Sequence, residues 1–134
     1  MKFIVIEGLD GSGKSTQIRL LREYMEKEGV KYRYLHFPRT DAPVYGELIA
    51  RFLRGELGDI NSVDPYIIAL LYAGDRNDAK ELIREWKHDG FLVLVDRYVI
   101  SNIAFQCAKY GSNVEQQKLY DWIINFEFEY NELP

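Results

Sequence analysis

Much that commonly carries protein chemistry is scarce in these 134 residues. There is one cysteine, Cys107, which excludes an internal disulfide and suits a reducing compartment. No histidine or basic cluster stands beside it to activate the thiol, so it reads as a small buried apolar residue. The two histidines, His36 and His88, are far apart and fit no metal-ligand spacing. No apolar run approaches the roughly 20 residues of a membrane span. Basic charge does not prevail either: 17 Lys and Arg against 21 Asp and Glu leave a net charge of −4. That balance argues against a nucleic-acid polymer or a membrane surface as partner. Repeats, low-complexity tracts and internal linkers are missing. Met1-Lys2 runs straight into an apolar segment, with no signal peptide read before it, and a cytoplasmic location is expected. An apolar content of 47% is ordinary for one globular domain with a real core, here residues 1–134.

Against this background one segment stands out. Residues 8–15 read Gly8-Leu9-Asp10-Gly11-Ser12-Gly13-Lys14-Ser15, a full match to the phosphate-loop pattern G-x-x-x-x-G-K-[ST]. An apolar run, Phe3-Ile4-Val5-Ile6, leads in, and a helix-patterned segment leads out. Gly8, Gly11 and Gly13 permit a tight turn whose successive N–H groups face one anion. Lys14 adds a point charge for β- and γ-phosphates, and the Ser15 hydroxyl suits Mg²⁺. The N-terminus of the following helix, from Lys14, Ser15 and Thr16 onward, presents its positive end to the same phosphates. The competing reading is a chance Gly-rich turn.

The remaining pattern alternates strands and helices. Residues 3–7 and 91–95 are continuous apolar runs, and 31–37 alternates; each reads as a parallel strand, with 91–95 central. Helices are expected over 14–28, stopped by Gly29, and over 43–53. Another starts at Asp64-Pro65 and reaches His88 with a bend; two more cover 99–110 and 114–126. The acidic stretch 127–130 reads as a solvated edge, where the chain leaves its last helix. Such alternation means an α/β fold, a parallel sheet flanked by helices in three layers. Three strands with this many helices make a poor stand-alone core, so a truncated chain is expected.

A second group of residues closes the strand at 91–95. Asp96 is placed as the acid that holds Mg²⁺ through water, or as a solvated strand-end carboxylate. Arg97 follows at the carboxyl edge of the sheet, where its planar fork suits a phosphate or an ion pair. Tyr72 and Arg76, spaced i,i+4, share a helix face and can address one flat ligand, or simply each other. Asn102 could cap a helix or sit in solvent, and Phe105, beside apolar Ile103 and Ala104, could be plain core.

Four segments together resemble the thymidylate kinase family. They are Ile6-Glu7-Gly8-Leu9-Asp10-Gly11-Ser12-Gly13-Lys14-Ser15-Thr16-Gln17, Phe37-Pro38-Arg39, Leu70-Leu71-Tyr72-Ala73-Gly74-Asp75-Arg76, and the stretch from Leu94-Val95-Asp96-Arg97 to Asn102 and Phe105-Gln106. The resemblance implies a phosphate-loop nucleoside monophosphate kinase that moves the γ-phosphoryl group of ATP to dTMP with Mg²⁺, in a homodimer. It implies a phosphate-binding loop over Gly8, Leu9, Asp10, Gly11, Ser12, Gly13, Lys14, Ser15 and Thr16, and metal binding by Ser15 and Asp96. Lys14, Asp10 and Arg97 would be catalytic. The dTMP site would comprise Asp10, Phe37, Arg39, Tyr72, Arg76, Arg97, Asn102 and Phe105. Within it, Tyr72 would stack on the base, where most relatives have Phe. Arg76 would reach O4, Asn102 the amide edge, Phe105 the sugar's 2′ position and Arg97 the phosphate.

One departure qualifies the resemblance. Family members carry an arginine after the loop acid, or arginines in a later lid. Here the loop position is Gly11, and a lid and C-terminal strands are expected beyond residue 134. Two other readings stand beside dTMP kinase: a catalytically impaired nucleotide-binding fragment, and another phosphate-loop small-molecule kinase.

Overall fold

The computed structural model describes residues 2–134. In chain order the elements are β1 (Phe3–Ile6), α1 (Lys14–Lys27), β2 (Tyr32–His36), α2 (Tyr45–Leu53) and α3 (Pro65–Asp78). Then come α4 (Lys80–His88), β3 (Leu92–Asp96), α5 (Val99–Cys107), α6 (Asn113–Ile124) and a π-helical turn (Asn125–Tyr130). They form two compact units. A sheet unit holds the residues up to Phe37 with Ala79–Tyr98, and a helical unit holds Pro38–Asp78 with Val99–Pro134.

In the sheet unit the most apolar strand is central, as its sequence requires. The order is β1-β3-β2, all parallel, with Ile6 and His36 both in register with Asp96. Val93, Leu94 and Val95 are fully buried. Ile18 and Met25 of α1 pack on Leu94, joined by Ile6, Leu21, Tyr34 and Leu92. By strand alternation Val93 and Val95 face the other way. The Gly29 stop after α1 holds: Gly29 takes φ 68°, and Val30 N–H closes the helix end on Met25 O at 2.8 Å.

The helical unit is built from α2, α3, α5, α6 and the π turn around Ile49, Phe52, Ile68, Ala73, Leu119 and Ile123. Asp64 caps α3 through Tyr66 N–H at 2.8 Å, and Ser112 caps α6 through Glu115 N–H. Gly74 is demanded by close packing, since a Cβ there would lie 2.2 Å from the Tyr45 ring. Gly46 is tighter still, its Cβ position lying 1.9 Å from the Arg39 carbonyl oxygen.

Two expectations fail here. The bent helix over 65–88 is two helices, because Ile68 and Ala73 pack in the helical unit while the fully buried Ile83 packs in the sheet unit. One helix cannot serve two cores, and Asn77 and Asp78 are weak helix residues at the break. The second failure concerns Glu127 alone, since residues 128–130 are exposed as expected. They continue α6 as a π turn, and Glu127 is fully buried rather than solvated. Among the described residues no helix is long and apolar enough to cross a membrane.

Candidate functional site

In the sheet unit, the turn between β1 and α1 is a phosphate loop in geometry as well as in sequence. Gly11 and Gly13 take φ 78° and 90°, which L side chains rarely adopt. Ser12 N–H and Oγ both close on Leu9 O, at 3.2 and 2.6 Å. Gly13 O accepts the first helical bond from Gln17 N–H, so the preceding N–H groups of the helix start have no helical acceptor. A cleft of about 300 Å³ is lined by Leu9, Asp10, Gly11, Gly13, Lys14, Ser15 and Thr16.

Asp96 lies beside this loop. Lys14 Nζ donates to Asp96 Oδ1, and both side chains are more than nine-tenths buried. Tyr34 donates to the other oxygen, Oδ2, at 3.0 Å. Burial and this bond push the Tyr34 hydroxyl up to about 12, with the Arg22 guanidinium 4.4 Å above its ring. Sequence reading missed Tyr34. Its role follows from register: Tyr34 pairs with Leu94, and so shares the face that α1 covers. Ser15 and Asp96 line one further cleft of about 320 Å³. No three His, Cys, Asp or Glu side chains form a metal cage among the described residues. One carboxylate and one hydroxyl fit Mg²⁺, which keeps waters and takes its other ligands from phosphates.

Arg97 stands at the end of β3 with φ 65°, a strained value for a residue with a Cβ. The bend is held on both sides: Arg97 N–H donates to Ile6 O at 3.0 Å, and Tyr98 N–H to Glu7 Oε1 at 2.8 Å. Its Nη2 donates to Asp10 Oδ1, although the Asp10 side chain is 93% exposed. The loop acid and the strand-end arginine are thus brought together. Phe37 is only 1% exposed and packs on Tyr98, ring centroids 5.8 Å apart.

In the helical unit Arg39 is heavily engaged. Its N–H and Nε bind Asp75 Oδ2 and Oδ1, each at 2.8 Å, and its Nη2 reaches Asp78 Oδ2 at 2.9 Å. Arg76 is buried, with Nε donating to Glu127 Oε1. Asn102, also buried, donates through Nδ2 to Ala69 O at 3.2 Å and to Glu127 Oε2 at 3.5 Å. The structure therefore joins two of the sequence-expected base readers through a carboxylate that sequence reading had assigned to solvent. Tyr72 is half-buried, and Phe105 is 46% exposed rather than core. Cys107 is half-buried, not fully buried; burial raises its thiol pKa, and Sγ donates to Gln116 O at 3.6 Å.

Comparison with known proteins agrees with this geometry. A thymidylate kinase family profile matches residues 6–124. The thymidylate kinase of Plasmodium falciparum is 37% identical over 112 residues, covering 84% of this chain and 51% of that protein. That of Mycobacterium tuberculosis strain H37Rv is 36% identical over 131 residues, 98% of this chain and 60% of its own. A probable thymidylate kinase of Thermococcus onnurineus is 40% identical over 128 residues, 92% and 58%. A solved thymidylate kinase of Candida albicans superimposes with a TM-score of 0.73 at 29% identity, over 92% of this chain and 56% of that one. The chain thus spans little more than half the length of the relatives it matches. With the phosphate loop, its paired acid and the family match in place, the chain belongs to the thymidylate kinase family.

Proposed function

We propose that this chain serves phosphoryl transfer from ATP to dTMP, giving dTDP and ADP for dTTP synthesis. The observation that carries the reading is the set Lys14, Ser15, Asp96, Asp10 and Arg97, brought together around the phosphate loop in one unit. Lys14 would leave Asp96 to draw on the β- and γ-phosphates, while loop N–H groups cradle them. Mg²⁺ held by Ser15 and, through water, by Asp96 would neutralise charge on the donor phosphates. Tyr34 keeps the Asp96 carboxylate in place for that task. Arg97 would exchange Asp10 for the dTMP phosphate, with its strained backbone already set. No general base is needed, because the attacking phosphate is already anionic. The protein's contribution is position and charge.

In the helical unit, Tyr72, Arg76, Asn102 and Phe105 would take the thymidine. Arg39 would join them by giving up part of its network with Asp75 and Asp78. Phe37, sealed from solvent, would support the site from behind rather than touch ligand. We assign the protein to the cytoplasm and to a homodimer; Ile67 and Leu70, exposed at i,i+3 spacing on α3, are the apolar surface that such an interface would cover. The coverage of the relatives favours one second reading, a nucleotide-binding piece that turns over slowly. An ADP-release assay with dTMP and Mg²⁺ on this chain, on a version extended by a lid, and on Gly11→Arg tests both. Fast turnover only in the extended form supports the slow-piece reading. No dTMP-dependent ADP release in any form contradicts the proposed activity.

A further inference from the structure

We propose that Glu127 is the positioning residue that fixes which way round Asn102 presents its amide, and so makes the helical unit select a pyrimidine carrying a proton on N3. The proposal rests on the acceptor-base reading above. Asn102 Nδ2 faces two groups that can only accept: the Ala69 carbonyl oxygen at 3.2 Å and Glu127 Oε2 at 3.5 Å. If the amide turned over, Oδ1 would meet those same two oxygens, so chemistry permits one orientation only. Oδ1 is then the atom left for a ligand to donate to; it is buried, and no group of the described residues donates to it. The other oxygen of the same carboxylate accepts from Arg76 Nε. A single fully buried side chain therefore sets both a donor, the Arg76 guanidinium, and an acceptor, Asn102 Oδ1.

Thymine and uracil offer O4, an acceptor, next to N3–H, a donor. They complement this pair. Cytosine offers an amino group next to an unprotonated N3, so donor meets donor and acceptor meets acceptor, and the buried groups stay unpaired. Glu127 lies in a π turn, a geometry frequent at functional positions. Gln at 127 could instead donate its amide N–H to Asn102 Oδ1, which loosens the constraint.

The test is calorimetric binding of dTMP and dCMP to the whole chain and to Glu127→Gln, with folding checked by circular dichroism. The wild-type chain should prefer dTMP by roughly tenfold or more, and Glu127→Gln should cut that preference at least about fivefold. A merely structural role would weaken both nucleotides alike and leave the ratio unchanged; that result in folded protein overturns the proposal. Glu127→Asp, which keeps the charge but withdraws the oxygens, should also lower the ratio and decides the matter if Gln unfolds the chain. A wild-type readout needs no variant: the Asn102 side-chain amide protons should stay protected from exchange with and without dTMP, and fast exchange in either state overturns the proposal. A wild-type chain without preference sinks the base reading too, whereas preference with an unchanged ratio in the variants sinks this inference alone.

Discussion

In the sheet unit two ion pairs sit where the chain turns: Arg97 holds the exposed Asp10, and Lys14 meets Asp96 at the end of β3. Asp10 and Lys14 line the cleft at the phosphate loop, and Asp96 lines a second cleft beside it. In the helical unit, Arg76 and Glu127 are sealed from solvent and share their pair with Asn102. Exposure sets what each pair can do. A pair at a cleft can be traded for a ligand, because phosphate or metal replaces the partner that leaves. A pair inside a core has no such replacement, and breaking it strands a charge.

The largest expected effect comes from that contrast. Glu127→Ala should cost about 3–5 kcal/mol of stability in urea denaturation, the range for removing one partner of a buried pair. Asp10→Ala should cost less than about 1 kcal/mol, since the Asp10 carboxylate is 93% exposed and water screens the pair. Equal losses would erase the distinction. The packing contrast comes next: Gly46→Ala should cost upwards of about 1–3 kcal/mol, because its Cβ must displace the Arg39 carbonyl oxygen.

How much of this was legible in the sequence follows the same division. The phosphate loop, the central strand and the Asp96-Arg97 pair are set by short segments, and local chemistry decides them. The caps at Asp64 and Gly29 were readable for the same reason. Glu127 was not. Its acidic, aromatic neighbourhood reads as solvated, and only the packing of α3, α5 and the π turn places it against Arg76, 51 positions away in the chain. Tyr34 needed strand register, and the break at Ala79 needed knowledge that α3 and α4 serve different cores.

A smaller effect sharpens the account of the sheet unit. Arg97 is held at a positive φ for its side chain's sake, so Arg97→Gly should be more stable than Arg97→Ala by about 1 kcal/mol, while both lose dTMP binding. Equal stability would mean that the bend is not strained. The smallest expected effects are opposite slopes with pH. Burial lowers the Lys109 pKa, so the unfolded chain holds this proton to higher pH, and stability from this group rises as pH climbs toward 10.5. Tyr34, raised to about 12, keeps its proton in the fold, and its contribution is lost between about pH 10 and 12. Melting curves of Lys109→Met and Tyr34→Phe against pH should each flatten one slope.

The most direct measurement of the division is calorimetry on Lys14→Ala with two ligands, Mg-ATP and dTMP. Lys14 pairs with Asp96 in the sheet unit, and the residues proposed to read the base lie in the helical unit. Mg-ATP affinity should fall at least about tenfold, the loss of a charged hydrogen bond, while dTMP affinity stays within about twofold. A parallel fall in both affinities would contradict the account.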